Sequence, residues 1–256
     1  MGDGVNNLIP LIDGDLLVYR CGFAADAQAK KDFGDNYKDH DYISWALANV
    51  KTVVENILFE VFPAHPRYNL YLTGKFNFRE QVATLLPYKG NRDPDHKPKY
   101  YNEIKEYLID TWNAQVIDGM EADDAVGIEQ YKHKDKSTVI VSTDKDLDCI
   151  PGHHYNWVKK IFYYVTLNQA NLNFLGQMLE GDRSDNIPGI NGIGPKTVPK
   201  IIAKCNEDPV QLRNEVVAQY KNQYGNEWIN AFNEVATLLW ILREEHTPCP
   251  FLFKED

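Results

Sequence analysis

The chain has 256 residues, of which 43% are hydrophobic, 12% aromatic and 25% charged, with a formal net charge of −10. That length allows one large domain or two small ones around a sizeable core, and the composition is that of a soluble globular protein. No apolar run approaches a bilayer span, no basic-then-apolar leader is visible, and the scattered Cys21, Cys149, Cys205 and Cys249 form no C-x-x-C pair, which argues against a zinc ribbon or thioredoxin-like motif and fits a reduced, cytoplasmic setting.

Leu8 to Asp13 reads as a short buried strand, and Leu16 to Ala25 has helical character. Asp26 to His40 is polar without a period and predicts a mobile loop. Tyr42 to Phe62 spaces its apolar residues by three and four, so a long helix is expected there, stopped by Pro63 and Pro66. A strand over Tyr68 to Thr73 and a short helix over Phe78 to Leu86 follow. Pro87 to Pro98, rich in Pro, Gly, Lys and Arg, predicts a flexible, exposed crossing. Tyr100 to Trp112 reads as a helix, Gln115 to Ile117 as a strand, Glu121 to His133 as a helix and Thr138 to Thr143 as a buried strand. Tyr155 to Val158 and Ile161 to Thr166 fit a hairpin across Lys159-Lys160, and everything from Leu167 onward reads as helical. Strands alternating with helices predict a mostly parallel α/β sheet, with a boundary near Thr166.

The net charge argues at first against a nucleic-acid partner, yet distribution matters more than the sum. Lys75 to Lys105 carries Lys75, Arg79, Lys89, Arg92, Lys97, Lys99 and Lys105 against four acids, and Arg183 to Lys204 carries Arg183, Lys196, Lys200 and Lys204 against Asp185 alone. Each window taken alone also fits a solvated helix face.

The acids gather in clusters: Asp13 at a strand end, Glu121-Ala122-Asp123-Asp124 at a helix start, Asp144-Lys145-Asp146 after a strand, and Asp182 with Asp185 in Gly181 to Gly189. Singly, Glu121, Asp123 and Asp124 fit first-turn acids favoured by the helix dipole, and Asp144 fits an N-cap. Together they fall at strand ends or helix starts, where α/β sheets collect ligands. So many carboxylates repel unless cations intervene, and oxygen-only ligands select Mg²⁺ or Mn²⁺ over zinc. The glycine-punctuated run Gly189 to Thr197 offers backbone amides and a helix start suited to phosphate. A divalent metal beside a phosphodiester implies nuclease chemistry. No Ser/His/Asp or Cys/His constellation is evident, and His153-His154 lacks metal-ligand spacing.

Ile12-Asp13-Gly14, Glu121 to Asp124, Ser142 to Leu147 and Gly181 to Gly189 resemble, in order, the motifs of the flap endonuclease/5′→3′ exonuclease family. The Asp13-Gly14-Asp15 variant and the short chain resemble most a phage replicative 5′→3′ exonuclease. The resemblance implies a three-layer α/β/α, PIN-like fold with a mostly parallel sheet over residues 1–166. It implies a helical arch or loop over the site at residues 75–101. A helical helix-two-turn-helix region over residues 167–256 would share the active site through Asp182 and Asp185. It implies that Asp13, Glu121, Asp123, Asp124, Asp144, Asp146, Asp182 and Asp185 hold two Mg²⁺ ions, with Mn²⁺ able to substitute. Tyr88-Lys89-Gly90-Asn91-Arg92 resembles the family's Tyr-Lys-x-x-Arg, placing Lys89 and Arg92 at the scissile phosphate. Arg20, Tyr88, Gly189, Gly192, Gly194, Lys196, Thr197 and Lys200 would meet DNA, with a K⁺ ion at the helix-two-turn-helix loop. The implied activity is hydrolysis near DNA 5′ ends, at flaps and in RNA/DNA hybrids, as in primer removal, in the cytoplasm or a phage host's cytoplasm, with no membrane. A PIN-like ribonuclease and a non-catalytic structure-specific DNA-binding protein are the alternative readings. One departure stands out: Leu72-Thr73-Gly74 puts Thr73 where the family has an Asp. Asp15 either compensates at the same metal or only caps the helix at Leu16.

Overall fold

A computed structural model describes residues 8–61, 67–93, 95–133 and 137–254. The chain forms two compact units interleaved along the sequence, rather than divided by one cut at Thr166. The first comprises the described residues of Met1–Lys75, Asp93–Asp144 and Gly152–Tyr164; the second comprises those of Phe76–Arg92, Lys145–Pro151 and Val165–Asp256.

The first unit is built on a six-stranded sheet in the order β3-β2-β1-β4-β5-β6. Its strands are β1 (Ile9–Asp13), β2 (Asn69–Asn77), β3 (Gln115–Gly119), β4 (Thr138–Val141), β5 (Gly152–Asn156) and β6 (Ile161–Val165). β1 pairs parallel with β2 and with β4, and β4 parallel with β5. β5 and β6 are joined by a turn too short for a parallel crossover. Their cross-strand ring pairs, His153–Tyr164, His154–Tyr163 and Tyr155–Phe162, fit the antiparallel hairpin the sequence predicts.

Helices cover both faces. Ile12, Leu70, Leu72, Val139 and Val141 pack against α1 (Gly14–Phe33), α2 (Ile43–Val61) and α4 (Tyr101–Trp112). α5 (Ala122–Lys132) lies against β1, β3 and β4. Gly14 is dictated by packing, since a Cβ there would meet the Tyr71 carbonyl oxygen at 2.5 Å.

One sequence expectation is corrected in this unit. Asp26 to His40 is not a loop: α1 continues to Phe33 and a 3₁₀ turn spans Gly34–Asp39. Cys21, Ala25 and Ala29 form a buried stripe of small side chains whose apolar signal is weak. Asp26 is buried because its carboxylate accepts from the Tyr42 hydroxyl at 2.6 Å and from the Lys99 amide at 3.1 Å. Pro63 and Pro66, the expected stops after α2, lie outside the described residues.

In the second unit, α6 (Leu167–Glu180), α7 (Val198–Lys204), α8 (Pro209–Tyr224) and α9 (Trp228–Leu239) enclose Phe174, Leu175, Met178, Leu212, Val216 and Phe232. A Thr166–Gln169 capping box starts α6, and the Asp208 side chain with Pro209 starts α8. The short α3 (Phe78–Val82) belongs here. Arg79, counted by sequence with the basic surface, is 2% exposed and donates to the Leu238 and Trp240 carbonyls, both at 2.8 Å. It ties down the end of α9 and is not available to a ligand. Between α3 and Tyr101 the expected arch segment holds no further helix among the described residues.

Candidate active site

The strand order changes direction at β1, with β2 and β3 on one side and β4 to β6 on the other. Such a switch point opens a crevice at the carboxyl ends of the strands. Acids stand there: Asp13 ends β1, Asp144 follows β4, and Glu121, Asp123 and Asp124 open α5 just after β3.

Asp13 is buried and caps α1, accepting from the Leu16 amide at 3.2 Å and from Ser142 Oγ at 3.3 Å. Burial first, then the charges of Asp15 and Asp144, raise its carboxyl from 3.8 to about 7 against those two hydrogen bonds. Asp123 is pushed well above the usual carboxylate range by burial and then by Asp13, Asp144, Glu121 and Asp124. Asp124 is fully buried and closes a capping box, accepting from the Glu121 amide at 3.0 Å. The crowding expected of these acids is therefore present within the first unit.

The capping reading of Asp15 is corrected. The cap is Asp13, and Asp15 lies inside the first turn of α1. Both Asp15 oxygens accept from the Thr73 amide at 3.2 Å, so its carboxylate lies against the residue at which the resemblance expects an Asp. Burial raises its pKa, while hydrogen bonds from Thr73 and the charge of Lys105 lower it. Thr73 is itself held by Lys105 Nζ on its carbonyl at 2.5 Å, and its Oγ1 accepts from the Ala122 amide at 2.9 Å. Sequence reasoning gave Ser142 and Lys105 no role here. Ser142 lies within the Ser142 to Leu147 motif, whereas Lys105 carries no local signal.

In the second unit Asp146 opens the 3₁₀ turn Asp146–Cys149 and accepts from Gln177 Nε2 at 2.5 Å. Asp182 pairs with Ile187 in an isolated bridge, and its carboxylate accepts from the Ser184 amide at 2.7 Å and hydroxyl at 2.8 Å. Asp185 accepts from the Tyr88 hydroxyl at 2.8 Å, faces Lys89 Nζ at 3.7 Å and pairs with the Arg92 guanidinium.

The flexible crossing expected at Pro87 to Pro98 is corrected over its first half. Residues 87–92 form a turn fastened to the 183–186 loop. The Lys89 amide donates to the Asp185 carbonyl at 2.8 Å, Asn186 Nδ2 to the Pro87 carbonyl at 2.9 Å, and Arg92 Nε to the Ser184 carbonyl at 3.0 Å. Lys89 and Arg92 thus share a carboxylate that also lies in the predicted metal set.

The run Gly189 to Thr197 leads into α7, which begins at Val198 with Pro199, not Pro195, in its first turn. Gly189 is required by packing, since a Cβ would meet the Glu180 carbonyl oxygen at 2.2 Å. Gly192 has a φ of 79°, and neither it nor Gly194 has an atom within 4 Å of a built Cβ. Lys196 and Lys200 are exposed, and Thr197 precedes the helix. In the first unit Arg20 is exposed, its guanidinium 5.3 Å from the centre of the Trp157 ring.

The donor chemistry is oxygen-only and suits Mg²⁺ or Mn²⁺. Among the described residues no three Asp, Glu, His or Cys side chains converge closely enough to enclose an ion alone. Mg²⁺ keeps several of its own waters and uses one or two carboxylates, so the set fits a hydrated ion. The four cysteines are free and buried, and among the described residues no helix is long and apolar enough to cross a membrane.

No protein-family model matches the chain. The 5′-3′ exonuclease of Buchnera aphidicola is 28% identical over 214 residues, covering 77% of this chain and 70% of that protein. The exodeoxyribonuclease of Enterobacteria phage T3 is 25% identical over 247 residues, covering 91% and 78%. In fold, the chain is similar to the bacteriophage T5 flap endonuclease solved with DNA and metal ions, with a TM-score of 0.54 at 20% identity over 91% of this chain and 86% of that one. The motifs from Asp13 to Thr197 thus stand in the expected order in a chain that is similar in sequence to 5′-3′ exonucleases and in fold to a flap endonuclease.

Proposed function

We propose that the chain is a Mg²⁺-dependent 5′→3′ exonuclease and flap endonuclease that hydrolyses phosphodiester bonds near DNA 5′ ends, and RNA in RNA/DNA hybrids, as in primer removal. The observation that carries this reading is the crowding at the sheet's switch point, where Asp13 is held at about 7 and Asp123 well above the usual range. Such a cluster is relieved when cations bind, and binding releases the protons it holds.

Two Mg²⁺ ions, when bound, supply a nucleophilic water and polarise the phosphate and leaving oxygen. Asp13, Glu121, Asp123, Asp124 and Asp144 are the acids of the first unit assigned to hold them, with Asp15 standing in at Thr73. The family motifs assign Asp146, Asp182 and Asp185 to the same chemistry. Lys89 and Arg92 meet the reacting phosphate, Arg92 by the planar fork that matches phosphate oxygens. In the absence of DNA, Asp185 neutralises both cations, so phosphate exchanges with a carboxylate already matched to them. Lys196, Lys200 and the amides around Gly192 and Gly194 hold the duplex backbone without reading bases, and carbonyls of that loop are assigned a K⁺ ion. Arg20 is a further phosphate contact, and Tyr88 orients Asp185. The work of such an enzyme lies in the cytoplasm.

The test is cleavage in Mg²⁺ and in EDTA of a 5′-flap duplex, a recessed 5′ end, an RNA/DNA hybrid and single-stranded RNA. Metal-dependent release from DNA 5′ ends supports the proposal. Cutting of single-stranded RNA alone would assign a PIN-like ribonuclease, and binding without cutting a structure-specific DNA-binding protein.

A further inference from the structure

We infer that Gln177 is a positioning residue that fixes the carboxylate of Asp146; the inference rests on the reading of Asp146 as a metal ligand. Asp146 rides on a short 3₁₀ turn, whose hydrogen-bond geometry is poorer than that of an α-helix. Here α6 ties the turn from one side. Asn173 Nδ2 donates to the Asp148 carbonyl at 2.9 Å, and Arg243 Nη2 donates to the Cys149 carbonyl at 2.7 Å. These contacts hold the backbone only. Gln177, one helical turn beyond Asn173 and so on the same face, reaches the side chain itself.

Both ends of the Gln177 amide are engaged. Nε2 donates to Asp146 Oδ1 at 2.5 Å, and Oε1 accepts from Cys149 Sγ at 3.0 Å. The two ends are matched to their partners, the NH₂ end to the carboxylate and the carbonyl end to the thiol. The thiol, itself buried in the turn, fills the other end and stops the amide from rotating. Asp146 is thereby given one orientation. A carboxylate has about four acceptor positions, and the Gln177 amide N–H takes one of them on Oδ1. A cavity of about 250 Å³ beside this contact, lined by Gln177, Asn173 and Gly176 on α6 and by Val198 and Ile202 on α7, provides room in which an untethered Asp146 would swing. Orienting partners of this kind typically set metal affinity within a 10- to 100-fold range.

The experiment is Mn²⁺ binding to the DNA-free protein, followed by paramagnetic resonance, for the parent, Gln177→Met, Asp146→Asn and the double variant. Circular dichroism and urea midpoints serve as the fold control. Met matches Gln in length and lacks the amide. Gln177→Met is expected to weaken one Mn²⁺ site on the order of tenfold and to add nothing in the Asp146→Asn background. Parental Mn²⁺ affinity for Gln177→Met alongside weakened Asp146→Asn overturns the positioning role alone. Parental affinity for Asp146→Asn overturns the ligand reading, and the inference with it. Additive losses in the double variant assign Gln177 to the general fold and also overturn it. If Gln177→Met fails the fold control, Gln177→Asn replaces it: the amide is kept but one methylene short, and parental affinity there is again a refutation.

Discussion

Replacing Asp13 by Asn separates the electrostatic strain of the carboxylate cluster from its packing. Asn is nearly isosteric and caps a helix about as well as Asp, so the Leu16 amide keeps its acceptor. Asp13 is raised from 3.8 to about 7. About three pKa units at ~1.36 kcal/mol each put the penalty on the ionised form at roughly 4 kcal/mol. The sign follows from linkage. Between the two values the folded state binds more protons than the unfolded one, so this group removes stability as pH rises from about 4 through about 7 and contributes nothing below. Asp15 and Asp144 share the repulsion and relax by taking up protons, which leaves a net gain for Asp13→Asn of ~1–3 kcal/mol at pH 8 in EDTA. At about 2–4 °C per kcal/mol for a chain of this size, its melting temperature rises by several degrees. At pH 4 the two proteins melt together. Saturating Mg²⁺ at pH 8 offsets most or all of that gain, because an ion at 100 times its Kd stabilises the parent by about 2.7 kcal/mol. Differential scanning calorimetry in EDTA and in Mg²⁺ reads all three conditions. An Asp13→Asn protein that melts at or below the parent at pH 8 in EDTA would refute the claim that the cluster is electrostatically strained.

Lys89→Ala and Arg92→Ala are each expected to slow single-turnover cleavage on the order of 10²-fold at saturating DNA; an unchanged saturated rate assigns them to binding alone. Asp15→Asn should raise the Mg²⁺ concentration needed for half-maximal rate, with Thr73→Asp partly restoring it, and a superimposable Mg²⁺ titration rejects the compensation. Lys196→Ala should weaken duplex binding and lower the slope of log affinity against log salt by roughly one. Its saturated rate should stay parental, and identical salt titrations leave only a structural turn.

The sheet and its acids were readable because both are periodic or clustered. A β-branched run marked β4, a short apolar run marked β1, and helix starts after strands located Glu121, Asp123 and Asp124. What the sequence hid lies in tertiary pairing. The second half of α1 carries Lys30, Lys31 and Asp32 on its outside and buries only Ala25, Asp26 and Ala29, so its helical stripe is nearly silent. Arg79 looks like a surface cation until the carbonyls at the end of α9 are brought to it. Residues 87–92 have loop composition, and the loop of residues 183–186, distant in sequence, fastens their turn through backbone and side chains. The two readings of Asp15 differ by two residues in where α1 begins, which patterns do not resolve. Lys105 and Gln177 act through neighbours more than 30 residues away, and no local motif announces either.

The central claim is that the carboxylates perform metal chemistry rather than DNA binding. Its most direct test pairs two readouts on one saturated 5′-flap duplex: affinity in EDTA and single-turnover cleavage in Mg²⁺, for the parent, Asp123→Ala and Asp146→Ala. Cleavage lost in both variants, with affinity close to parental, is the predicted result. Parental turnover by both variants in Mg²⁺ would contradict the account.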